Sequence, residues 1–183
     1  MLLSELAESM ELSPARTVIR ILDETDGKVK AIYFSMSDRD VEEIMSREDI
    51  VTGSDGCAMD FDSRTQNGLP HPRNFGTFPR TLRMGREIGR PSREKIIRKM
   101  TGLPAGIFRL KDTGSICVGN YADITVFDWD RFRDTATYDR PYQKPVGLKH
   151  VIVSGSLILE DGKITRNSPG RILGKGTRRH KRH

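Results

Sequence analysis

The hydrophobic pattern of this chain changes period near residue 105, and that change limits its architecture more than any single motif does. Ahead of it, Ala15, Val18, Ile19 and Leu22 stand at offsets 0, 3, 4 and 7 behind Ser13-Pro14. That is one apolar helix face, with a proline suited to the first helical position. "DETDG" ends the helix, and "KAIYFS" reads as a buried strand. Ser37 and Asp40 then have the spacing of a capping pair for a helix whose apolar face is Val41, Ile44 and Met45. "IVTG" is the next strand, and the order strand, helix, strand predicts parallel strands joined by a helical crossover. Past the change, "GSICVG", "ADITVFD", "LKHVIVSG" and "SLILEDGKIT" are short strands separated by turn signals, with Asp161-Gly162 as a hairpin turn. The expected organisation is α/β first and all-β afterwards.

Two stretches interrupt this pattern. From Cys57 to about Arg90 the chain is rich in Gly, Pro, Asp and Arg and reads as one long aperiodic loop, of the kind that carries function when it lies inside a compact protein. A helix from about Ser92, with Ile96, Ile97 and Met100 facing inward, follows it and is broken by "TGLPAG".

Composition narrows the function classes. A chain of 183 residues fits one domain or one domain and part of another. No apolar run approaches membrane-spanning length, and the N-terminus lacks the basic and apolar regions of a signal peptide, so the sequence reads as soluble and cytoplasmic. Cys57 and Cys117 suit neither a disulfide framework nor a metal knuckle. The net charge of +6 is concentrated in "GRILGKGTRRHKRH". With no interleaved aromatic residue and no nucleic-acid module, that tail reads as a solvated, disordered end rather than a nucleic-acid site.

The end of the "IVTG" run holds the residue of most chemical interest. Asp55 stands between Ser54 and Gly56, where small residues allow either a simple turn or close approach of a ligand to a carboxylate. On those letters alone both readings stand.

Longer blocks carry a resemblance. "GSDG", "PHPRNFGTFPR", "RKMTGLPA", "GSICVGNYADITVFD" and "VIVSGSLILEDGKIT" occur in the order found in the N-acyl-D-amino-acid deacylases, or D-aminoacylases, of the amidohydrolase superfamily. "AIYFSMSDRDVEEIM" is similar to the family just ahead of its Ser-Asp-Gly. The likeness runs from about residue 1 to about residue 173. It implies the last strands and helices of a (β/α)8 metal-dependent hydrolase barrel over 1–105, the C-terminal part of a small β-sandwich over 106–173, and a basic disordered tail over 174–183.

The resemblance also implies roles. Asp55 would end the last barrel strand, where active sites of such barrels lie, and would move a proton between the attacking water and the departing amine. Arg73 would hold the carboxylate of an N-acyl-D-amino acid, a task suited to a planar two-pronged cation. Ser35, Ser37 and His71 fall in stretches that face substrate. The histidine, set between two prolines, also suits a structural place, and Ser37 suits helix capping. Cys57 stands next to the Ser-Asp-Gly, where a free thiol is as readily a small apolar filler.

The family works with Zn²⁺, whose bound water ionises near neutral pH. Its His-x-His pair, its cysteine and its further histidines have no counterpart among His71, His150, His180 and His183. The chain is therefore expected to contribute no metal ligand and not to bind zinc alone. It also carries "CAMDFDSRTQNGL" between Gly56 and Pro70, a longer insert than the family pattern. Two functions follow from this reading. One is the C-terminal portion of a linear-amide hydrolase, inactive until an N-terminal barrel half completes it. The other is a catalytically inert remnant or interaction module.

Overall fold

The structure, a computed structural model, describes residues 1–59, 61 and 69–173 and divides into two compact units, Met1–Ser35 and Met36–His183. In the first, α1 (Leu3–Ser9) packs on α2 (Pro14–Glu24), with Ala7 and Thr17 buried. Ser13 caps α2 by accepting the Arg16 N–H at 3.4 Å, with Pro14 behind it, as the sequence predicts. The helix ends in a Schellman turn. Gly27 N–H donates to Leu22 C=O and Asp26 N–H to Asp23 C=O, while Asp26 takes the left-handed position at φ 51°.

Two expectations fail in this unit. The apolar face of α2 is present, but Val18, Ile19 and Leu22 are exposed rather than buried. Residues 30–35, expected as a buried strand, belong to no sheet, and Tyr33 and Phe34 are exposed. A strand is completed by hydrogen bonds from neighbouring strands, which local sequence cannot supply.

The second unit has α3 (Asp38–Ser46), α4 (Arg73–Ile88), α5 (Arg93–Met100) and α6 (Gly102–Ile107), then β1 (Ile124–Phe127), β2 (Leu148–Val153), β3 (Ser156–Glu160) and β4 (Lys163–Ile164). The strands form an antiparallel meander in the order β1-β2-β3-β4, with Ile124 opposite Ile152 and Leu159 opposite Ile164. Asp161 and Gly162, at φ 44° and 79°, make the tight β3–β4 hairpin turn. The core joins helix to sheet: Leu82 of α4, Ile96 of α5 and Phe132 are buried together, against Ile97, Met100, Phe127, Trp129 and Leu148. Gly85 lets α4 and α5 approach closely, since a Cβ there would lie 2.3 Å from Ile96 Cδ1.

Four more corrections come from this unit. "IVTG" is not a strand; it is held instead by Lys99, whose C=O accepts the Thr52 N–H at 3.1 Å while its Nζ donates to Met45 C=O at 2.6 Å. The aperiodic stretch contains the longest helix, α4. Its buried residues are Gly76, Pro79, Thr81, Leu82 and Gly85, of which Leu82 is the one large apolar side chain, and the glycines, proline and arginines around it give the stretch the look of a loop. "TGLPAG" does not simply break a helix, because α6 runs through it. "GSICVG" is not a strand either: Ile116 and Val118 are exposed, and Asn120 folds the segment back through its N–H to Cys117 C=O and its Nδ2 to Ser115 C=O.

Candidate functional site

The site is built where the loop after "IVTG" meets the first turn of α4. Asp55 sits at φ 47°, in the left-handed region, and its carboxylate projects into solvent with 84% of the side chain exposed. Arg73, the first residue of α4, places its Nη2 3.0 Å from Asp55 Oδ2. The insert between Gly56 and Pro70 therefore does not keep Arg73 from Asp55. Most of it, residues 60 and 62–68, lies outside the described residues, as does the basic tail at 174–183.

His71 joins the pair through the backbone. Its Nδ1 accepts the Arg73 N–H at 3.1 Å, so the imidazole caps α4 in place of Pro72, which offers no side-chain cap. Nε2 lies 3.5 Å from Tyr138 Oη, and the two rings meet edge to face with centroids 5.2 Å apart. Accepting at Nδ1 requires that nitrogen to be unprotonated. Burial holds the imidazole below its usual 6.5, and the Arg73 and Arg80 guanidinium charges push in the same direction. Folding thus favours neutral His71. As the pH falls through 6.5 the unfolded chain takes up this proton before the folded one does, so stability declines from there toward the lower folded-state value. We expect the His71 titration, followed by imidazole NMR, to have its midpoint below 6.5 and to move up in Arg80→Met. A midpoint at or above 6.5 would contradict this environment.

Ser37 stands apart from these three residues. It caps α3, accepting the Asp40 N–H at 3.1 Å and donating its hydroxyl to Asp40 Oδ2 at 2.7 Å, and none of these bonds reaches Asp55, His71 or Arg73. Cys57 is exposed, as is Ser35.

Two residues the sequence did not single out complete the geometry. Tyr138 covers the far side of His71, and Asn74 receives the Asp55 loop: its Oδ1 accepts the Cys57 N–H at 2.8 Å. The Asn lies inside the "PHPRNFG" block, next to the arginine, but nothing in periodicity distinguishes it there. The tyrosine is 67 positions from its histidine.

The chemistry available is that of a carboxylate, a guanidinium and a neutral imidazole. These three residues do not by themselves make up a metal site. Asp55 is paired with Arg73, His71 directs Nδ1 to a backbone N–H, and among the described residues no three His, Cys, Asp or Glu side chains come together to hold a cation. No described helix is long and apolar enough to cross a membrane.

Residues 9–159 match the amidohydrolase family. The chain is 40% identical over 144 residues to the N-acyl-D-glutamate deacylase of Alcaligenes xylosoxydans xylosoxydans, covering 78% of this chain and 28% of that protein. It is 38% identical over 146 residues to the D-aminoacylase of the same organism, covering 79% and 29%. A crystal structure of D-aminoacylase superposes with a TM-score of 0.78 at 34% identity, over 94% of this chain and 34% of that one. An N-acyl-D-glutamate deacylase from Bordetella bronchiseptica, solved with zinc and a phosphonate inhibitor, superposes with a TM-score of 0.73 at 30% identity, over 90% and 34%. D-aminoacylase has also been solved in work on its binuclear metal centre. The chain thus spans less than a third of the length of the curated relatives it matches.

Proposed function

Because this chain belongs to the amidohydrolase family, we propose that it forms part of a deacylase that hydrolyses the linear amide of N-acyl-D-amino acids, with Asp55 as its proton-transfer group and Arg73 as its carboxylate anchor. The observation that carries this reading is the Asp55–Arg73 contact at 3.0 Å, which unites the two groups across the insert. In this reading the helices and loops up to residue 105 close a (β/α)8 barrel and residues 106–173 form its share of a β-sandwich. Segments 30–35 and 50–53 then gain ladder partners from the remaining length of the deacylase, on the same polypeptide or on a second one. Donors from that remainder would hold the zinc of the complete enzyme, which would supply Lewis acidity and a water that ionises near neutral pH.

The ion pair suggests the order of events on these residues. Both side chains are well exposed, so the pair is weak and readily exchanged. A substrate carboxylate is a like-for-like replacement for Asp55 at the guanidinium fork. Once displaced, Asp55 accepts the proton of the water that attacks the acyl carbonyl. As the C–N bond breaks it returns that proton to the amine nitrogen, giving a D-amino acid and a carboxylic acid.

The test is hydrolysis of N-acetyl-D-glutamate and its L-isomer. The 183 residues alone, with added Zn²⁺, are expected to give no turnover, whereas the same residues completed with the rest of a deacylase turn over the D-isomer. In the completed protein, Arg73→Lys keeps the charge but loses the fork, and KM should rise about tenfold with kcat little changed. Turnover by the 183 residues alone would overturn the assignment of the metal donors, and an unchanged KM in Arg73→Lys would overturn the anchor.

A further inference from the structure

Asp55 rides on a loop that is not part of any strand, yet the reaction proposed above needs its carboxylate at a defined place. What holds it is not the loop itself. Gly56 N–H turns inward to Ser54 Oγ at 3.2 Å, a bond that stays within the loop. The tie to the helical scaffold comes from Asn74. Its Oδ1 accepts the Cys57 N–H at 2.8 Å, two residues past Asp55, and its Nδ2 reaches Met59 Sδ at 3.5 Å. The loop backbone also rests directly on this residue: a Cβ at Gly56 would lie 2.8 Å from Asn74 Oδ1 and 3.1 Å from Asn74 Cα. Asn74 is the neighbour of Arg73 in the first turn of α4. One helical turn therefore grips the loop twice, through the Arg73 guanidinium on the carboxylate and through the Asn74 amide on the backbone just beyond it.

We propose that Asn74 is a positioning residue for the hydrolysis, fixing the Asp55 loop on α4 so that the carboxylate stays in place when substrate takes over Arg73. The two grips differ in what substrate does to them. The ion pair is lost when the substrate carboxylate arrives, but the Asn74 bond to Cys57 involves no charged group and persists. Without the Asn74 side chain, no hydrogen bond or ion pair among the described residues would tie the Asp55 loop to α4 at the moment the carboxylate must accept a proton. Displacement of a reacting group by about 1 Å costs on the order of a hundredfold in rate. This inference rests on the reading of Asp55 as the proton-transfer group, and its test separates the two.

The variants are Asn74→Ala, which removes the acceptor, and Asn74→Asp, which keeps an oxygen for the Cys57 N–H. The first measurement is amide hydrogen exchange of residues 53–59 on the 183-residue chain. Exchange is expected to be at least about tenfold faster in Asn74→Ala than in the parent, and close to the parent in Asn74→Asp, in keeping with the loss or retention of the one hydrogen bond that engages the Cys57 N–H. The second is steady-state hydrolysis of N-acetyl-D-glutamate by the completed protein. There kcat should fall about ten- to a hundredfold in Asn74→Ala with KM within about twofold, and Asn74→Asp should recover most of the loss. Parental exchange or parental kcat in Asn74→Ala, in a preparation where Asp55→Asn is inactive, overturns the role of Asn74 and leaves that of Asp55 standing. An Asp55→Asn variant that stays active overturns the proton-transfer reading instead, and the exchange measurement still decides whether Asn74 holds the loop.

Discussion

Replacing Asp55 by Asn should lower kcat for N-acyl-D-amino acid hydrolysis by about 10² to 10⁴-fold while leaving KM unchanged or lower. The amide is the same size as the carboxylate but can neither accept the proton of the attacking water nor return it to the leaving nitrogen, and a positioned acid–base group is typically worth that factor. The direction of KM follows from the ion pair. On the proposed reading, the Asp55 carboxylate of the parent competes with the substrate carboxylate for Arg73, 3.0 Å away. An uncharged Asn competes weakly, so the guanidinium is freer to bind substrate. Loss of a substrate contact would raise KM, and the absence of such a rise makes the experiment specific. The fold should be indifferent, since the side chain is 84% exposed and its loss removes one weak surface pair. Steady-state kinetics of the completed protein and a thermal melt of the same sample check both halves. A kcat within about threefold of the parent would remove Asp55 from the mechanism.

Replacing Gly147 by Ala should destabilise the second unit by about 3 kcal/mol or more, lowering the melting temperature by roughly 10 °C. Gly147 lies just ahead of β2 at φ 87°, where any side chain is strained. Its Cβ would also meet backbone: Phe132 N at 2.7 Å, and Arg131 C and Phe132 Cα at 2.8 Å. None of these backbone clashes can be relieved by a rotamer change. Phe132 is the residue through which the sheet side joins the helical core with Leu82 and Ile96. Its neighbour Arg133 is paired with Val146 through reciprocal N–H···O=C bonds of 3.1 Å. Moving this crossing apart opens the core itself. Gly155 is the control, because it has φ 79° but open space where a Cβ would go. Gly155→Ala should cost only the conformational part, about 1 kcal/mol. Equal losses in the two variants would show that the contact with Phe132 carries no weight.

Local chemistry was legible from the letters, and non-local pairing was not. Ser13-Pro14 and Ser37/Asp40 marked helix starts that formed as expected, because a cap and the bonds it makes lie within a few residues. β2, β3 and the Asp161-Gly162 turn formed for the same reason, each next to its partner in sequence. "KAIYFS", "IVTG" and "GSICVG" had the apolar content of strands but pair with no strand among the described residues, and strand content alone does not make a ladder. α4 failed in the other direction. Four of its five buried residues are Gly76, Pro79, Thr81 and Gly85, and glycine and proline in the sequence read as loop rather than as the close-packed face of a helix.

The same division runs through the site. By itself the sequence determined that Asp55 is flanked by small residues, that Arg73 sits in a "PHPR" block, and that the whole resembles a family of amide hydrolases. Only the tertiary structure decided that the Asp55 carboxylate rests on the Arg73 guanidinium, that His71 caps α4 rather than offering both ring nitrogens to a ligand, and that Asn74 receives the backbone beyond Asp55. The reason is distance along the chain. The Asp55–Arg73 and Cys57–Asn74 contacts join residues separated by an insert whose length says nothing about where its ends meet, and a hydrogen bond of 2.8 Å is fixed by the packing of the helix that presents it.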